Sequence, residues 1–127
     1  MTCEALVSEL FESLISVERV LAEKSIALRR LPGWTEVTAD LSMSRWNTSF
    51  AISGYVDGEL DGHEGVCWTF DARRAADAWV VGRSLDENVR ATAAPERPFP
   101  DLDIAGSREL AAALPSLVAE LCALEVG

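Results

Sequence analysis

The sequence is poor in the residues that usually announce chemistry. It has one histidine (His63), one tyrosine (Tyr55), two methionines and three cysteines in 127 residues. It contains no G-x-S-x-G elbow, no phosphate-cradling glycine loop and no H-E-x-x-H pair. Lys and Arg total 11 against 21 Asp and Glu, a formal net charge of −10. A phosphate backbone is gripped by basic side chains that release its counterions, so this balance argues against a nucleic-acid binder. No apolar run approaches the ~18 residues that cross a bilayer, and no basic segment precedes an apolar one at the N-terminus. Membrane insertion and a secretory signal are therefore not expected. An odd number of cysteines (Cys3, Cys67, Cys122), widely spaced and without C-x-x-C, suits free thiols in a reducing cytoplasm better than a disulfide framework.

What is present is a core. The chain is 49% apolar and 25% charged, enough for one hydrophobic interior and too short for a second domain of ordinary size, so residues 1–127 read as a single domain. Residues 3–30 carry the stripe Cys3, Val7, Leu10, Leu14, Val17, Leu21 at helical spacing. Thr2 can cap this helix, acids gather near its start, and Lys24, Arg29 and Arg30 near its end suit the macrodipole. Leu31-Pro32-Gly33 stops it.

From Trp34 the period changes to two. Val37, Ala39, Leu41 and Met43 alternate with Glu36, Thr38, Asp40 and Ser42, as in a half-buried strand. Phe50, Ile52, Gly54 and Val56 make a second run, and Val66, Trp68 and Phe70 a third, separated by the acidic turn chemistry of residues 57–62. Residues 78–85 read as a fourth strand after a connection at 72–77. The alanines of 72–79 leave a short helix as the alternative, but Trp79-Val80-Val81 favours strand. Residues 86–106, with Pro95, Pro98 and Pro100, show no period and read as a long loop. Ser107 opens a closing helix with the stripe Leu110, Leu114, Leu117, Leu121, Leu124, and Pro115 inside it predicts a kink or a later start. The expected fold is α+β: a four-stranded antiparallel meander with the N-terminal and C-terminal helices packed on one face, the other face polar.

Candidate sites were weighed against structural explanations. His63 and Cys67 on one extended strand stand roughly 13 Å apart, too far for a nucleophile pair. Asp57, Glu59, Asp61 and Gly62 match the first half of a calcium loop, but Trp68 replaces the closing Glu and no helix precedes. Trp34, Trp46, Trp68 and Trp79 read as core or core-edge residues rather than a stacking platform. No catalytic, cofactor-binding or metal-binding residues are assigned. The leading expectation is a non-catalytic, acidic cytoplasmic protein that binds another protein, one with a basic surface. By size and charge alone it is similar to immunity proteins and secretion chaperones. Contact would be supplied by the acidic turn at residues 57–64, the polar sheet face and the Pro-rich loop, with Asp57, Glu59, Asp61 and Glu64 as the electrostatic contact and Tyr55 as aromatic anchor. The alternative is a small enzyme or ligand-binding domain with a pocket between helices and sheet. A monomer or a homodimer fits equally, the leucine stripe of the closing helix being a candidate dimer seam.

Overall fold

A computed structural model describes residues 3–46, 49–61, 63–75, 78–89, 92–93 and 97–126, with the side chains of residues 3–7, 46, 49, 63, 64, 75, 88, 89, 92, 93 and 97 outside the description. The chain is α+β. Helix α1 (Cys3–Arg29) leads into four long strands, β1 (Trp34–Trp46), β2 (Ser49–Leu60), β3 (His63–Ala75) and β4 (Ala78–Val89). Three short strands follow, β5 (Thr92–Ala93), β6 (Arg97–Pro98) and β7 (Leu102–Ala105), and helix α2 (Ser107–Cys122) closes the fold. Every pairing is antiparallel, in the order β1-β2-β3-β4, and β5, β6 and β7 each pair in turn along the far edge of β4. Both helices lie on one face of the sheet and against each other, α1 over β1 and β2, α2 over β3, β4 and β7.

The alternation of the sequence becomes the two faces of the sheet. Phe50, Ile52, Val56, Val66, Trp68, Phe70, Ala72, Trp79, Val81 and Leu85 are buried toward the helices. They meet Leu10, Leu14, Val17, Leu21 and Leu28 of α1 and Leu110, Leu114, Val118 and Leu121 of α2. Burying apolar surface at about 25 cal/mol per Å² makes this layer the principal source of stability. Trp68 and Trp79 are each 1% exposed. Each indole N–H finds an acceptor, Trp68 Nε1 donating to the Leu124 carbonyl (3.0 Å) and Trp79 Nε1 to Ser107 Oγ (3.2 Å). Trp34 closes the core edge, its ring 5.8 Å from that of Trp68.

The structure corrects several expectations. Among the described residues the sheet has seven strands where four were expected. Residues 86–106 are not one loop: β4 runs on to Val89, and β5, β6 and β7 satisfy its outer edge. Leu102-Asp103-Ile104-Ala105 alternates half-buried and exposed, a period of two that four residues are too few to advertise. Residues 72–75 and 78–79 belong to β3 and β4, so no helix forms at those positions; residues 76–77 lie outside the description. Asp57 to Leu60 extend β2, leaving Asp61 in the turn. Ser107 does not cap α2. The N-cap is Gly106, and the serine hydroxyl serves Trp79 instead. Pro115 lies inside α2 without delaying its start. The leucine stripe of α2 is spent on the core, with Leu110, Leu114 and Leu121 fully buried and Leu117 and Leu124 packed beside them, so it is not a free dimer seam.

Candidate functional site: the outer face of the sheet

Residues that alternate with the core project from the side away from the helices. The registers align them in rows across strands: Thr38, Asp57, Cys67 and Asp86; then Asp40, Tyr55, Thr69 and Ser84; then Ser42, Ser53, Asp71 and Gly82. Tyr55, the sole tyrosine, thus stands mid-sheet between Asp40 and Thr69, with Asp57 and Ser53 on either side of it along β2. Hydroxyls tie the rows together. Thr38 Oγ1 donates to Asp57 Oδ1, Ser42 Oγ lies 3.2 Å from Ser53 Oγ, and Thr69 Oγ1 lies 3.1 Å from Ser84 Oγ. Such cross-strand pairs fix side-chain positions on a sheet surface.

The charge on this face is one-sided. Asp40, Asp57, Glu59, Asp71 and Asp86 share it. Arg73 Nε is 2.7 Å from Asp71 Oδ2, so that cation is already paired locally. A break in the β1–β2 register between Thr35 and Thr38 places the extra residue Glu36 in the left-handed region (φ 53°). Glu36, Asp57, Glu59 and Cys67 then line a shallow depression of about 260 Å³. A bulge that re-aims a side chain beside a surface site is a recurrent device.

Cys67 lies on this face and not in the core. Burial raises its thiol to about 11, Asp57 and Asp86 pushing the same way by opposing a second negative charge. It stays protonated and weakly nucleophilic at neutral pH. Cys122, at the end of α2, is likewise raised to about 11 by burial, against the pull of Lys24. His63 and Cys67 do share β3, four residues apart. The described residues contain no group of three His, Cys, Asp or Glu placed to hold a metal.

Of the five residues singled out from the sequence, the structure brings Tyr55, Asp57 and Glu59 together on one face of β2. Asp61 is held elsewhere: its N–H donates to the Gly33 carbonyl (3.2 Å), which ties the β2–β3 turn to the α1–β1 connection. The side chain of Glu64 lies outside the described residues. Asp40 and Asp71 fall on the polar face that the alternation predicts, whereas Asp86 was missed because β4 was expected to end at Leu85 and residue 86 to begin a loop.

The sequence also gave no sign of Arg83. It is 7% exposed on the helix side of β4, Nη1 donating to the Leu117 carbonyl (3.1 Å) and lying 3.6 Å from Glu120, with the guanidinium stacked 4.1 Å from the Phe99 ring. That stack fastens the segment before β7 over β4, where the Phe99 N–H also donates to the Arg83 carbonyl (2.9 Å).

Comparison of the chain with protein-family models, with curated proteins and with solved structures found no match. No described helix is long and apolar enough to cross a membrane.

Proposed function

We propose that this chain is a non-catalytic, cytoplasmic protein-binding protein whose contact surface is the outer face of the sheet, and that its partner presents a basic patch there. Tyr55 is the aromatic anchor, with Asp40 opposite it on β1 and Asp57 and Glu59 beyond it along β2 as the electrostatic contacts; Asp61 and Glu64 stand at the margin. The observation that carries the reading is the placement of Tyr55 at the centre of an open, hydroxyl-pinned face with Asp40, Asp57, Glu59, Asp71 and Asp86 around it. A rigid phenol ringed by one sign of charge gives a partner an apolar contact and a field that steers it in. Trp68, Trp79 and the leucines of both helices fill the centre of the space between the helices and this sheet, and a groove of about 400 Å³ opens only at its edge, between α1 and β1, lined by Glu18, Ser25, Arg29 and Asp40 among others; the filled centre favours recognition on the surface over chemistry inside.

The test is affinity capture from native lysate at low and high salt, with the wild type and with Asp57→Lys/Glu59→Lys. The expected partner is recovered at low salt by the wild type only and is lost as salt rises. In stopped-flow measurements with that partner, the charge reversals slow association by about tenfold or more and change dissociation little. Recovery of the same proteins by both forms at either salt would remove this face from the interface.

A further inference from the structure

We propose that two copies of this chain join their sheets antiparallel along the free edge of β1, through residues 39–45. The two edges of the sheet differ. β5, β6 and β7 cover the outer edge of β4, whereas among the described residues no strand lies outside β1. An uncovered edge offers a row of backbone N–H and C=O groups to another extended chain, and folded proteins guard such rows with bulges, proline, lysine or short length. β1 guards only its first part. The bulge at Glu36 breaks the register there, and Arg29 Nη2 donates to the Val37 carbonyl (2.9 Å). From Thr38 to Trp46 the register with β2 is unbroken, and this stretch holds neither proline nor lysine.

The alternation says which groups are free. The Asp40 carbonyl oxygen is 3.1 Å from where a Cβ on Gly54 of β2 would stand, so Asp40 turns its backbone groups toward β2. The Val37 carbonyl, held by a helix side chain, turns the other way. Ala39, Leu41, Met43 and Arg45 follow Val37 at steps of two and turn outward with it. The Arg29 lock bounds this row on one side, and the end of β1 at Trp46 bounds it on the other.

The centre of the row is Ser42, and that sets the register. A two-fold axis at Ser42 places Ala39 against the partner's Arg45 and Leu41 against the partner's Met43, each twice, so every outward N–H and C=O of the row is paired. The side chains fit a second copy. On the helix side Met43 (46% exposed) covers the partner's Leu41. The partner's Arg45, beside Ala39, reaches the groove between α1 and β1, where Glu18 stands on the wall and Arg29 is already turned to the Val37 carbonyl. On the outer face Ser42 meets the partner's Ser42, as it already meets Ser53 across β2. Asp40 faces the partner's Ser44, which leaves the two Asp40 residues about 14 Å apart along the strands. An axis at Asp40 would instead set carboxylate against carboxylate and need the Val37 carbonyl that Arg29 holds. The acidic outer faces of two chains of net charge −10 come side by side in this dimer, so salt strengthens it. A basic partner of the kind proposed above is lost as salt rises, and this inference does not depend on that partner.

Sedimentation equilibrium and amide hydrogen exchange of the full chain test it. At about 100 μM the wild type is expected at twice the 13.8 kDa of one chain. The amides of Ala39, Leu41, Met43 and Arg45 exchange at least about tenfold more slowly there than in dilute solution. Met43→Pro removes an N–H that a free edge strand does not use, so circular dichroism is unchanged while the dimer weakens about 30-fold or more. Met43→Leu keeps both the N–H and the apolar contact and stays within about threefold of the wild type. A wild type that remains monomeric at about 100 μM overturns the proposal. So does a dimer in which those four amides gain no protection, one indifferent to Met43→Pro, or one that weakens as salt rises.

Discussion

Gly54 and Gly65 make a paired test of how tightly the sheet packs under α1. Gly54 sits mid-strand on the helix side of β2, opposite Leu41 on β1 and Phe70 on β3. A Cβ added there would lie 2.6 Å from Phe70 Cε1, 3.1 Å from the Asp40 carbonyl oxygen and 3.1 Å from Leu21 Cδ1. The backbone oxygen cannot retreat without disturbing the β1–β2 ladder, and Phe70 is 2% exposed with little room to turn. Overpacking of this kind costs about 1–3 kcal/mol, offset by about 0.4–1 kcal/mol from the stiffer unfolded chain. Gly54→Ala should therefore lose about 1–2 kcal/mol, a fall in Tm of about 3–8 °C for a domain of this size. Gly65, in contrast, has nothing within 4 Å of an added Cβ and is not in the left-handed region. Gly65→Ala keeps only the gain in the unfolded state, so it should be stabilising by up to about 1 kcal/mol. Urea unfolding followed by tryptophan fluorescence measures both, with unchanged m-values expected. Gly54→Ala as stable as the wild type would refute the close packing. A double-mutant cycle with Phe70→Leu should show coupling, since leucine removes the ring atom that the new methyl meets.

Two further outcomes are expected. Ser107→Ala leaves the buried Trp79 N–H without its acceptor; it should cost about 1–3 kcal/mol and shift tryptophan emission, whereas loss of a helix cap alone would not alter emission. Cys67 is raised in the folded state from 9.0 to about 11, so the folded form holds the proton more tightly than the unfolded form. The contribution is fully present below pH 9 and is lost as pH rises through about 11. Chemical denaturation across pH 8 to 11 should show stability falling less steeply in Cys67→Ala, by about 1 kcal/mol or less once the thiol's partial exposure is discounted. Iodoacetamide labelling mapped to Cys67 at pH 8 should be slower than for a free thiol. Equal slopes, or rapid labelling, would contradict the assignment.

The two helices and the four long strands were legible because each is long enough to repeat its period. Leu10, Leu14, Val17 and Leu21 all landed in the core, as did Ile52, Val56, Trp68 and Phe70. What the alternation could not convey was length and neighbourhood. Inward positions of β4 include Arg83 and Glu87, both buried, so hydrophobicity faded while the strand continued. β5, β6 and β7 are two to four residues each and exist because β4 offers them an edge, a tertiary cause that local propensity does not encode. The acidic cluster was visible as composition, yet Asp57 and Glu59 were read as a turn because glycines flank them. The turn begins only after Leu60, and Gly58 is a strand residue packed beneath the Trp34 ring, where a Cβ would come within 3.0 Å.

One consequence of the element order concerns synthesis. Leu110, Leu114, Val118 and Leu121 cover β3 and β4, and Leu124 supplies the acceptor for Trp68, but all five follow the whole sheet in the chain. A nascent chain leaving the ribosome at about 5–20 residues per second therefore presents half of its pleated layer bare, indoles included, until those leucines emerge. Throughout that interval the exposed strands are a target for holdase binding and for pairing with a neighbour on the same polysome. Slowing translation between Val89 and Ser107 should lower the soluble yield.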